Sequence, residues 1–423
     1  MNISKDNIRK KIRSKWMNAR RKTRKVLLRL PIIFFAAGMV LSIFSGIRIY
    51  QIRDTQRAQI AAERWAGESG VQYRQISCFT KGQQQTAGGP DLYLTPEISL
   101  NLTEIEAIRK NLDTTVKTSL GMEDEKTSGN PNPPQAENEG SRLWIDTYSA
   151  QVKCSIQRPK TDTSLALAKD VTLTGVGGDF YLIHPMILES GAFLAKDTPD
   201  TKKIVLDTEL AFYFFGTYNV VGEKVFIAER EYTIVGVVRH SASEIDNKTQ
   251  GEYMRAYVLF PELSYLANTG EDTTINQETG NLGLGADTGK KTTDLDLLAV
   301  TCYEVVIPNQ ISGIAKQDLL SALEMAGKQE KGFFIVENTD RYSLFRLWDT
   351  MFPVGETEYA RRGYVFPFWE SSARMAETES FYWWMILLTS LGSVLFSGLA
   401  IYVGHVKKKF SEQIQEIDVS FTS

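Results

Sequence analysis

Two long uncharged runs dominate the pattern of hydrophobic and polar positions along the chain. The first covers Leu30–Ile47, and the second covers Phe381–Gly404, opening with the aromatic residues Tyr382, Trp383 and Trp384. Eighteen residues of helix extend about 27 Å, close to the roughly 30 Å hydrocarbon core of a bilayer. We therefore predict transmembrane helices at these two runs, in preference to buried helices of a soluble core.

A cleaved signal peptide is the alternative for the first run. Its basic region is longer than such leaders carry, and no clear small-x-small cleavage site follows it. Residues 48–66 continue with helical character until Gly67 and Gly70, which favours a retained span with a stalk helix. Residues 370–379 are expected to extend the second span in the same way.

The pattern between the spans repeats a strand, a helix and a strand. The first unit has strands at 71–80 and 148–157. Its helix is expected to begin with a capping box of Thr103 and Glu106, followed by an apolar face of Ile105, Ile108, Leu112 and Val116. The second unit has strands at 297–308 and 332–337, with a helix near 314–326. Two β-α-β units predict an α+β domain with a split ferredoxin-like sandwich.

The segment between these units, about 160–297, is then an insertion that is mostly β. We expect strands at 170–175 and 203–207, a short helix at 209–215, and a hairpin of 223–227 with 231–238.

Charge separates the chain into three parts that the net charge of −3 conceals. Residues 1–29 carry a net +11, residues 405–423 are neutral, and the remainder carries −14. Basic residues flank spans on the cytoplasmic side, here in the leader and at Lys407–Lys409. We therefore expect a two-pass plasma-membrane protein with both termini cytoplasmic and an acidic extracytoplasmic domain.

The insertion carries residues typical of a known family. The stretches GDFYLIHPMILESGAFL, KIVLDTELAFYFFG and NVVGEKVFIAEREYTIVGVV resemble the periplasmic core domain of MacB/FtsX-type permeases. The matching positions are turn and packing residues: Gly191, Asp207, Leu210, Ala211, Phe214, Phe215, Gly216, Gly222, Val225, Ile227, Val235, Gly236 and Val237.

This resemblance implies a ferredoxin-like "porter" part with an inserted, mostly-β "sabre" part. It also implies a membrane subunit that works with a cytoplasmic ATPase in export or mechanotransmission. A full permease of this type has four spans, three of them after the external domain, whereas one is predicted there in this chain. We therefore expect a truncated two-span variant that reaches an ABC ATPase through a further permease polypeptide, or an accessory subunit.

The predicted boundaries follow from these features. They are a basic leader at 1–29, a span at 30–47, a stalk at 48–70, the core domain at 71–340, an aromatic-rich membrane-proximal segment at 341–380, a span at 381–404 and a tail at 405–423.

The residues offer little support for catalysis or cofactor binding. His184 and His240 are the histidines of the predicted external region, and neither has Cys, Asp or Glu at metal-ligand spacing. Nucleophile elbows and HExxH motifs are absent from the sequence. We expect a protein that is not an enzyme and that holds no metal or cofactor.

The leader has an apolar stripe that could contact lipid or a partner. Ile8, Ile12 and Trp16 recur at four-residue spacing among basic residues, which predicts an amphipathic helix on the inner leaflet of the bilayer. The alternatives are a docking surface for an ATPase or a partner span, and plain positive-inside topology. Nucleic acid is not expected as a partner of a segment so close to the membrane.

Three cysteines fall in the predicted external domain, where disulfides can form. In the ferredoxin-like arrangement the third strand lies between the first two, so Cys302 could pair with Cys78 or Cys154, whereas Cys78 and Cys154 could not pair. Three buried thiols are the alternative.

Together these features favour the membrane subunit of an ABC-type system, with an external domain that binds a substrate or an envelope partner. A membrane-anchored sensory or binding module, not coupled to an ATPase, is the alternative.

Overall fold

The computed structural model describes residues 5–67, 71–80, 83–84, 90–91, 100–121, 143–159, 166–196, 198–228, 230–240, 243–249, 254–268, 300–351 and 366–421. Its helices are α1 (Lys5–Thr55), α2 (Ala61–Ala66), α3 (Leu102–Ser119), α4 (Phe180–Ile183), α5 (Thr208–Phe215), α6 (Glu244–Thr249), α7 (Phe260–Asn268), α8 (Ile314–Met325), α9 (Leu344–Met351) and α10 (Phe368–Phe421). The strands of the main sheet are β1 (Tyr73–Thr80), β2 (Ile145–Arg158), β3 (Leu167–Gly178), β4 (Ile187–Gly191), β5 (Lys203–Asp207), β6 (Lys224–Ile227), β7 (Arg230–Arg239), β8 (Met254–Leu259), β9 (Cys302–Pro308) and β10 (Phe333–Glu337).

The chain divides into two compact units. One consists of residues 1–54 and 378–423, and the other, which we call the core domain, runs from Thr55 to Glu377.

The predicted split ferredoxin-like sandwich is confirmed. Strands β1, β2, β9 and β10 are joined in the order β10-β1-β9-β2, and every neighbouring pair is antiparallel. This is the order of the fourth, first, third and second strands, which two β-α-β units produce when they interlock. Helices α3 and α8 complete the units and pack against each other.

Helix α3 has the predicted apolar face but begins two residues earlier than expected. Ile105, Ile108, Leu112 and Val116 are buried, as their spacing indicates. The capping box predicted at Thr103 and Glu106 is wrong. The N-cap is Asn101, whose side chain accepts from the Glu104 N–H, while the Glu104 carboxylate accepts from the Asn101 N–H.

The inserted strands extend the ferredoxin-like sheet and then close on themselves. Strand β2 pairs along its length with β3, β3 with β8, β8 with β5, β5 with β7, and β7 with β6. Strand β6 returns to the far end of β2 through Ile227 and Phe226, opposite Ile156 and Gln157. We call this closed ring of six strands the barrel. Strand β2 belongs to both parts, because its first residues pair with β9 and its last residues with β6.

The ferredoxin-like sheet is covered on both faces. On the first face, Ile76, Cys78, Tyr303 and Val305 join the core beneath α3 and α8. On the second face, Phe79 and Cys302 pack with Phe180 and Trp369 from α4 and α10, while Ile145 and Val306 pack with α2. The second face is therefore buried by α2, which precedes the sheet in sequence, by α10, which follows it, and by α4 of the insertion.

The stalk helix predicted through residue 66 is broken in the structure. Helix α1 ends at Thr55, Gln56 leaves the helical conformation with φ −87° and ψ 59°, and a 3₁₀ turn at Arg57–Ile60 leads into α2. The Gln59 side chain donates to the Trp369 carbonyl oxygen, and the backbone N–H of Ala61 donates to Gln75 Oε1. The first contact holds the segment to α10, and the second gives the Ala61 N–H a side-chain acceptor on β1 in place of a helical one.

Among the residues that the structure describes, two helices are long and apolar enough to cross a membrane: Arg29–Thr55 of α1 and Phe368–Ile414 of α10. Most of both belongs to the other unit. Within the unit, Ser42 Oγ lies 2.8 Å from Ser390 Oγ, and the Phe44 and Trp383 rings meet edge to face at 5.5 Å. Large apolar side chains such as Val40 and Phe396 are exposed, as expected for surfaces that face lipid.

Candidate functional site

The second face of the ferredoxin-like sheet buries polar side chains. Gln75 and Ser77 of β1 and Glu304 of β9 alternate with the apolar residues of the first face, and each is at most 2 % exposed. Buried polar groups must find hydrogen-bond partners, because an unpaired group loses its contacts with water without compensation. Their partners come from the segment that leads into α2, from His184 at the end of α4 and from Asn338 after β10.

Glu304 is the centre of one group of contacts. His184 Nε2 lies 2.5 Å from its Oε2, and Ser77 Oγ donates to its Oε1 at 2.7 Å. Burial would raise the pKa of Glu304, but the contacts with His184 and Ser77 outweigh it and hold that pKa below its usual value. The carboxylate is therefore ionised at neutral pH inside the protein.

Arg341 is the centre of a second group, adjacent to the first. Asn338 Nδ2 donates to Ser77 Oγ at 2.7 Å, and Arg341 Nη1 donates to Asn338 Oδ1 at 3.0 Å. The guanidinium also binds Glu370 in bidentate fashion, with two contacts of 2.7 Å, and Nε donates to Glu377 Oε1 at 2.5 Å. Burial would lower the pKa of Arg341, but the two carboxylates raise it well above its usual value.

Arg374 completes the charge balance on helix α10. Its Nε donates to Glu370 Oε1 at 2.9 Å, and its guanidinium carbon lies 3.6 Å from the centre of the Phe366 ring. Glu370, Arg374 and Glu377 are spaced by four and three residues, so they share one helix face. We call the connected set the α10 junction; it comprises Ser77, His184, Glu304, Asn338, Arg341, Glu370, Arg374 and Glu377.

The α10 junction fixes the first turns of α10 to the sheet through charge and geometry. The planar guanidinium group of arginine matches one orientation of a carboxylate. The pairing therefore fixes the position of α10 as well as stabilising it. Buried ion pairs of this kind are sensitive to the loss of either partner. The arrangement is suited to holding, or releasing, the start of a helix.

A small cleft of about 70 Å³ lies beside the α10 junction within the core domain. It is lined by residues 55–59 and 184–186, by His240 and Asp246, and by Phe368, Trp369 and Ser372. Ser372 Oγ contacts Asp246 Oδ1, and His240 Nε2 lies 2.9 Å from the Tyr257 hydroxyl oxygen.

Sequence reasoning missed the α10 junction. Glu304 did stand as one acidic residue within the apolar run of β9, which is the signal that could have drawn attention to it. His184, which has no metal-ligand spacing in the sequence, is 4 % exposed and bonded to a carboxylate 120 residues away.

The family-motif residues around α5 lie at helix ends and in the core, away from the α10 junction. Asp207 is the N-cap of α5: its Oδ1 accepts from the Leu210 N–H, and its Oδ2 accepts from the Arg255 N–H of β8, each at 2.6 Å. Leu210, Ala211 and Phe214 are buried and Phe215 packs on the same cluster, whereas Gly216 ends the helix with φ 69°.

The remaining motif residues shape the turns and strands of the barrel. Gly222 follows with φ 90°. Val225, Ile227 and Val237 are buried in the core that fills the barrel, and Val235 packs on the cluster that contains Phe180 and Trp369.

Gly191 and Gly236 allow two strands to approach each other closely. They lie directly opposite in the antiparallel pair of β4 and β7. A Cβ at Gly191 would lie 2.1 Å from the Val235 carbonyl oxygen, and one at Gly236 would lie 2.2 Å from the Ala192 carbonyl oxygen. Both positions therefore need glycine so that the two backbones can approach closely.

The three cysteines are free, buried thiols, so the disulfide alternative is corrected. Strand β9 does lie between β1 and β2, as predicted. However, Cys78 points to the first face of the sheet and Cys302 to the second. Cys302 pairs with Ser149, five residues or roughly 16 Å along β2 from Cys154. Burial raises the pKa of Cys78 and Cys154 to about 12, which makes both unreactive.

The other predicted sites are only partly described. Helix α1 includes Ile8, Ile12 and Trp16, but their side chains lie outside the described ones. Among the residues that the structure describes, no group of three or more His, Cys, Asp or Glu side chains could hold a metal ion.

Comparison with known proteins places the chain in a family. The family model described as the MacB-like periplasmic core domain matches residues 39–295, more than half of the chain. None of the curated proteins compared with the chain matches it.

Two solved structures of low identity also match. The periplasmic region of MacB from Actinobacillus actinomycetemcomitans is 15% identical, with 63% of this chain and 89% of that one covered and a TM-score of 0.34. The extracellular domain of the noncanonic ABC-type transporter YknZ from Gram-positive bacteria is 12% identical, with 62% and 99% covered and a TM-score of 0.34. On the strength of the family match, the chain is a member of the family of membrane proteins with a MacB-like periplasmic core domain.

Proposed function

We propose that the chain is the membrane subunit of an ABC-type export or mechanotransmission system. Its core domain binds a substrate or an envelope partner, and its two candidate spans couple that domain to a partner permease and an ATPase. The family is that of ABC transporter permease components, which are not themselves enzymes. ATP hydrolysis is accordingly assigned to the partner.

Charge supports an orientation with both termini in the cytoplasm. The leader carries a net +11, and Lys407–Lys409 follow the second uncharged run, whereas the acidic excess lies between the two runs. Lys and Arg near span ends favour the cytoplasmic side. In this orientation the core domain is extracytoplasmic, and Ile8, Ile12 and Trp16 of the leader are available to the inner leaflet or to a partner subunit.

The α10 junction is the observation that carries the proposal. The first turns of α10 are held to the sheet by Glu370 and Glu377, both bound to Arg341, and the same helix contains the second candidate span. A displacement of α10 would therefore act on Arg341, Asn338 and the strands beyond them. This is a direct route by which partner-driven motion of a span would reach the core domain.

The first experiment identifies the partners. The full chain, tagged at its C-terminus, is purified from its native membranes in mild detergent, and the associated proteins are identified. An ATPase and a multi-span permease are expected in stoichiometric amounts. A chain recovered alone, or with a signalling kinase only, would instead favour the membrane-anchored sensory or binding module.

The second experiment tests the α10 junction in the reconstituted complex. Arg341→Lys keeps the charge but loses the bidentate pairing with Glu370, so a several-fold loss of chain-dependent stimulation of ATP hydrolysis is expected. Arg346→Lys is the matched control, because Arg346 lies on the same segment in a half-exposed pair with Glu337. Glu377→Gln leaves the Arg341–Glu370 pair intact. It is the second variant to use if Arg341→Lys does not fold. Equal stimulation by all variants would contradict the coupling route.

A further inference from the structure

His184 connects the buried charges of the α10 junction with the neighbouring cleft. It lines the cleft of about 70 Å³, together with residues 55–59 and the first turn of α10. That volume is several times the roughly 10–15 Å³ that one water molecule needs. Its imidazole is also bonded to Glu304, which is 2 % exposed. His184 therefore borders both the buried ion pairs and a space with room for water.

The hydrogen bonds of the α10 junction run in one direction, towards Glu304. Arg341 Nη1 donates to Asn338 Oδ1, and Asn338 Nδ2 donates to Ser77 Oγ. Ser77 Oγ donates in turn to Glu304 Oε1, and His184 Nε2 contacts the other oxygen, Oε2. An ionised carboxylate only accepts hydrogen bonds, so Nε2 of His184 carries a hydrogen. Glu304 accepts from both sides as a carboxylate, in agreement with its lowered pKa.

The charges of the α10 junction balance when His184 is protonated. The junction contains three glutamates and two arginines, all of them buried. A neutral imidazole leaves this set with one negative charge in excess, whereas an imidazolium brings the sum to zero. An uncompensated charge inside a protein is unfavourable. The arrangement with α10 docked on the sheet therefore favours the imidazolium.

The groups around His184 outside the α10 junction do not supply the missing positive charge. The titratable groups on the elements packed around it are Arg57, Glu63, Arg64, Tyr181, His240, Asp246, Arg255 and Tyr257. The first three are exposed, so water screens their charges. Burial lowers the pKa of His240 to about 3 and raises the pKa of both tyrosines, so these three groups are neutral at neutral pH. Asp246 and Arg255 are buried and of opposite sign, so their charges sum to zero.

Helix α10 also contacts the imidazole ring directly. The centre of the His184 ring lies 4.4 Å from that of Trp369, in the first turn of α10, and 4.6 Å from that of Phe180. A cation is attracted to the electron-rich face of an aromatic ring, and a neutral imidazole lacks this attraction. Protonation of His184 therefore strengthens its contact with α10 itself.

We propose that His184 is the pH sensor of the α10 junction: its imidazolium holds the first turns of α10 against the sheet, and loss of the proton weakens that hold. Proton binding and docking of α10 are then linked, so docking weakens as the pH rises through the titration of His184. The effect of this regulation on transport rests on the proposed coupling through α10, whereas docking can be measured in the chain alone.

Two measurements on the full chain in detergent micelles test the proposal. Hydrogen exchange with mass spectrometry measures the protection of residues 370–377 from about pH 5 to pH 8, after correction for intrinsic exchange rates. Nuclear magnetic resonance of ¹³C-labelled imidazole rings follows the three histidines over the same range. The protection is expected to fall about tenfold as the pH rises, with the same midpoint as the His184 signal. Different midpoints, or a His184 signal or a protection that does not change, would overturn the proposal.

His184→Gln separates the charge of His184 from its hydrogen bond. The glutamine amide can donate to Glu304 but carries no charge, so the protection of α10 should be low and independent of pH. His240→Gln is the matched control, because His240 lines the same cleft and is already neutral, and it should keep the pH dependence of the wild type. A wild-type pH dependence in His184→Gln would show that another group is the sensor.

The wild type decides the question if His184→Gln does not fold. His240→Gln and His405→Gln assign two of the three histidine signals, so the His184 signal follows by elimination. Agreement of its midpoint with that of the protection supports the proposal. Helix α8, which covers the first face of the sheet, is the internal control and should keep its protection. An equal loss in α8 would reflect the whole domain and would contradict a role of His184 in docking α10.

Discussion

The barrel and the α10 junction stabilise the core domain in different ways. The barrel is filled by aliphatic and aromatic side chains such as Ile204, Leu206, Tyr232 and Ile234, all fully buried in one apolar cluster. The α10 junction buries two arginines and three glutamates, each bound to specific partners. Apolar burial is non-directional, whereas bidentate ion pairs demand one geometry.

This difference suggests different roles for the two regions. Apolar cores tolerate exchange of side chains of similar volume, so the barrel should accept such substitutions with little loss of stability. The α10 junction depends on complete pairing, and the loss of one partner leaves a buried charge uncompensated. A region with this property can hold a helix in one position and release it when the pairing changes.

The largest effect is expected for Arg341→Met. This change removes the partner of Glu370 and Glu377 while keeping the side chain's volume, and it leaves both carboxylates buried. We expect the free energy of unfolding to fall by about 3–5 kcal/mol. The measurement is urea unfolding of the full chain in mild detergent, followed by tryptophan fluorescence.

Arg346→Met is the control for that measurement. Arg346 and its partner Glu337 are partly exposed, at 47% and 23%, so water screens their interaction. A loss below about 1 kcal/mol is expected. If Arg341→Met and Arg346→Met lowered the free energy of unfolding equally, the buried ion pairs of the α10 junction would contribute no more to stability than an exposed pair.

Much of the fold could be predicted from the sequence, because its signals are local. The apolar face of α3, the hairpin of β6 and β7, and the caps of α5 at Asp207 and Gly216 all follow from spacing within a few residues. The ferredoxin-like strand order followed from two similar β-α-β units. Strand β4 was missed, since it is five residues long and mostly exposed.

The α10 junction could not be predicted, because its contacts are not local. Gln75, Ser77 and Glu304 alternate with apolar residues, a pattern that usually marks a solvent-facing side of a sheet. That face is buried here by α2, α4 and the first turns of α10, and Ser77 lies 227 residues from Glu304. Closure of the barrel depends in the same way on two residue pairs between β2 and β6, about 70 residues apart.

The next largest effect is on the pH dependence of stability, which should have opposite signs for Asp207 beside the barrel and for Glu304 in the α10 junction. Burial raises the pKa of Asp207, beside the barrel, to about 6 from an ordinary value of 3.8. The folded state then binds more protons than the unfolded state, so stability falls as pH rises from about 4 to 6, by about 3 kcal/mol. Asp207→Asn should abolish this slope, at the cost of the hydrogen bond from the Arg255 N–H. Urea titrations at pH 4 and pH 6 measure it, and an unchanged slope in the variant would contradict the assignment.

Glu304 in the α10 junction should show the opposite sign. Its pKa in the folded state lies below the ordinary value of 4.5, since His184 and Ser77 stabilise the carboxylate against its burial. Its contribution to stability is therefore complete above about pH 4.5 and is lost as the pH falls through the folded value. Each unit of pKa lowering corresponds to about 1.4 kcal/mol.

Glu304→Gln removes the ionisable carboxylate, so comparison with wild type measures its contribution to stability. The difference in unfolding free energy between wild type and variant should shrink as the pH falls from 5 to 3, in unfolding experiments with the full chain in detergent. Asp207→Asn should approach the wild-type slope only near pH 3, where Asp207 is largely protonated in the folded and the unfolded state alike. If the difference in unfolding free energy between wild type and Glu304→Gln stayed constant with pH, the ionised form of Glu304 would not be selectively stabilised. The α10 junction would then not depend on this charge.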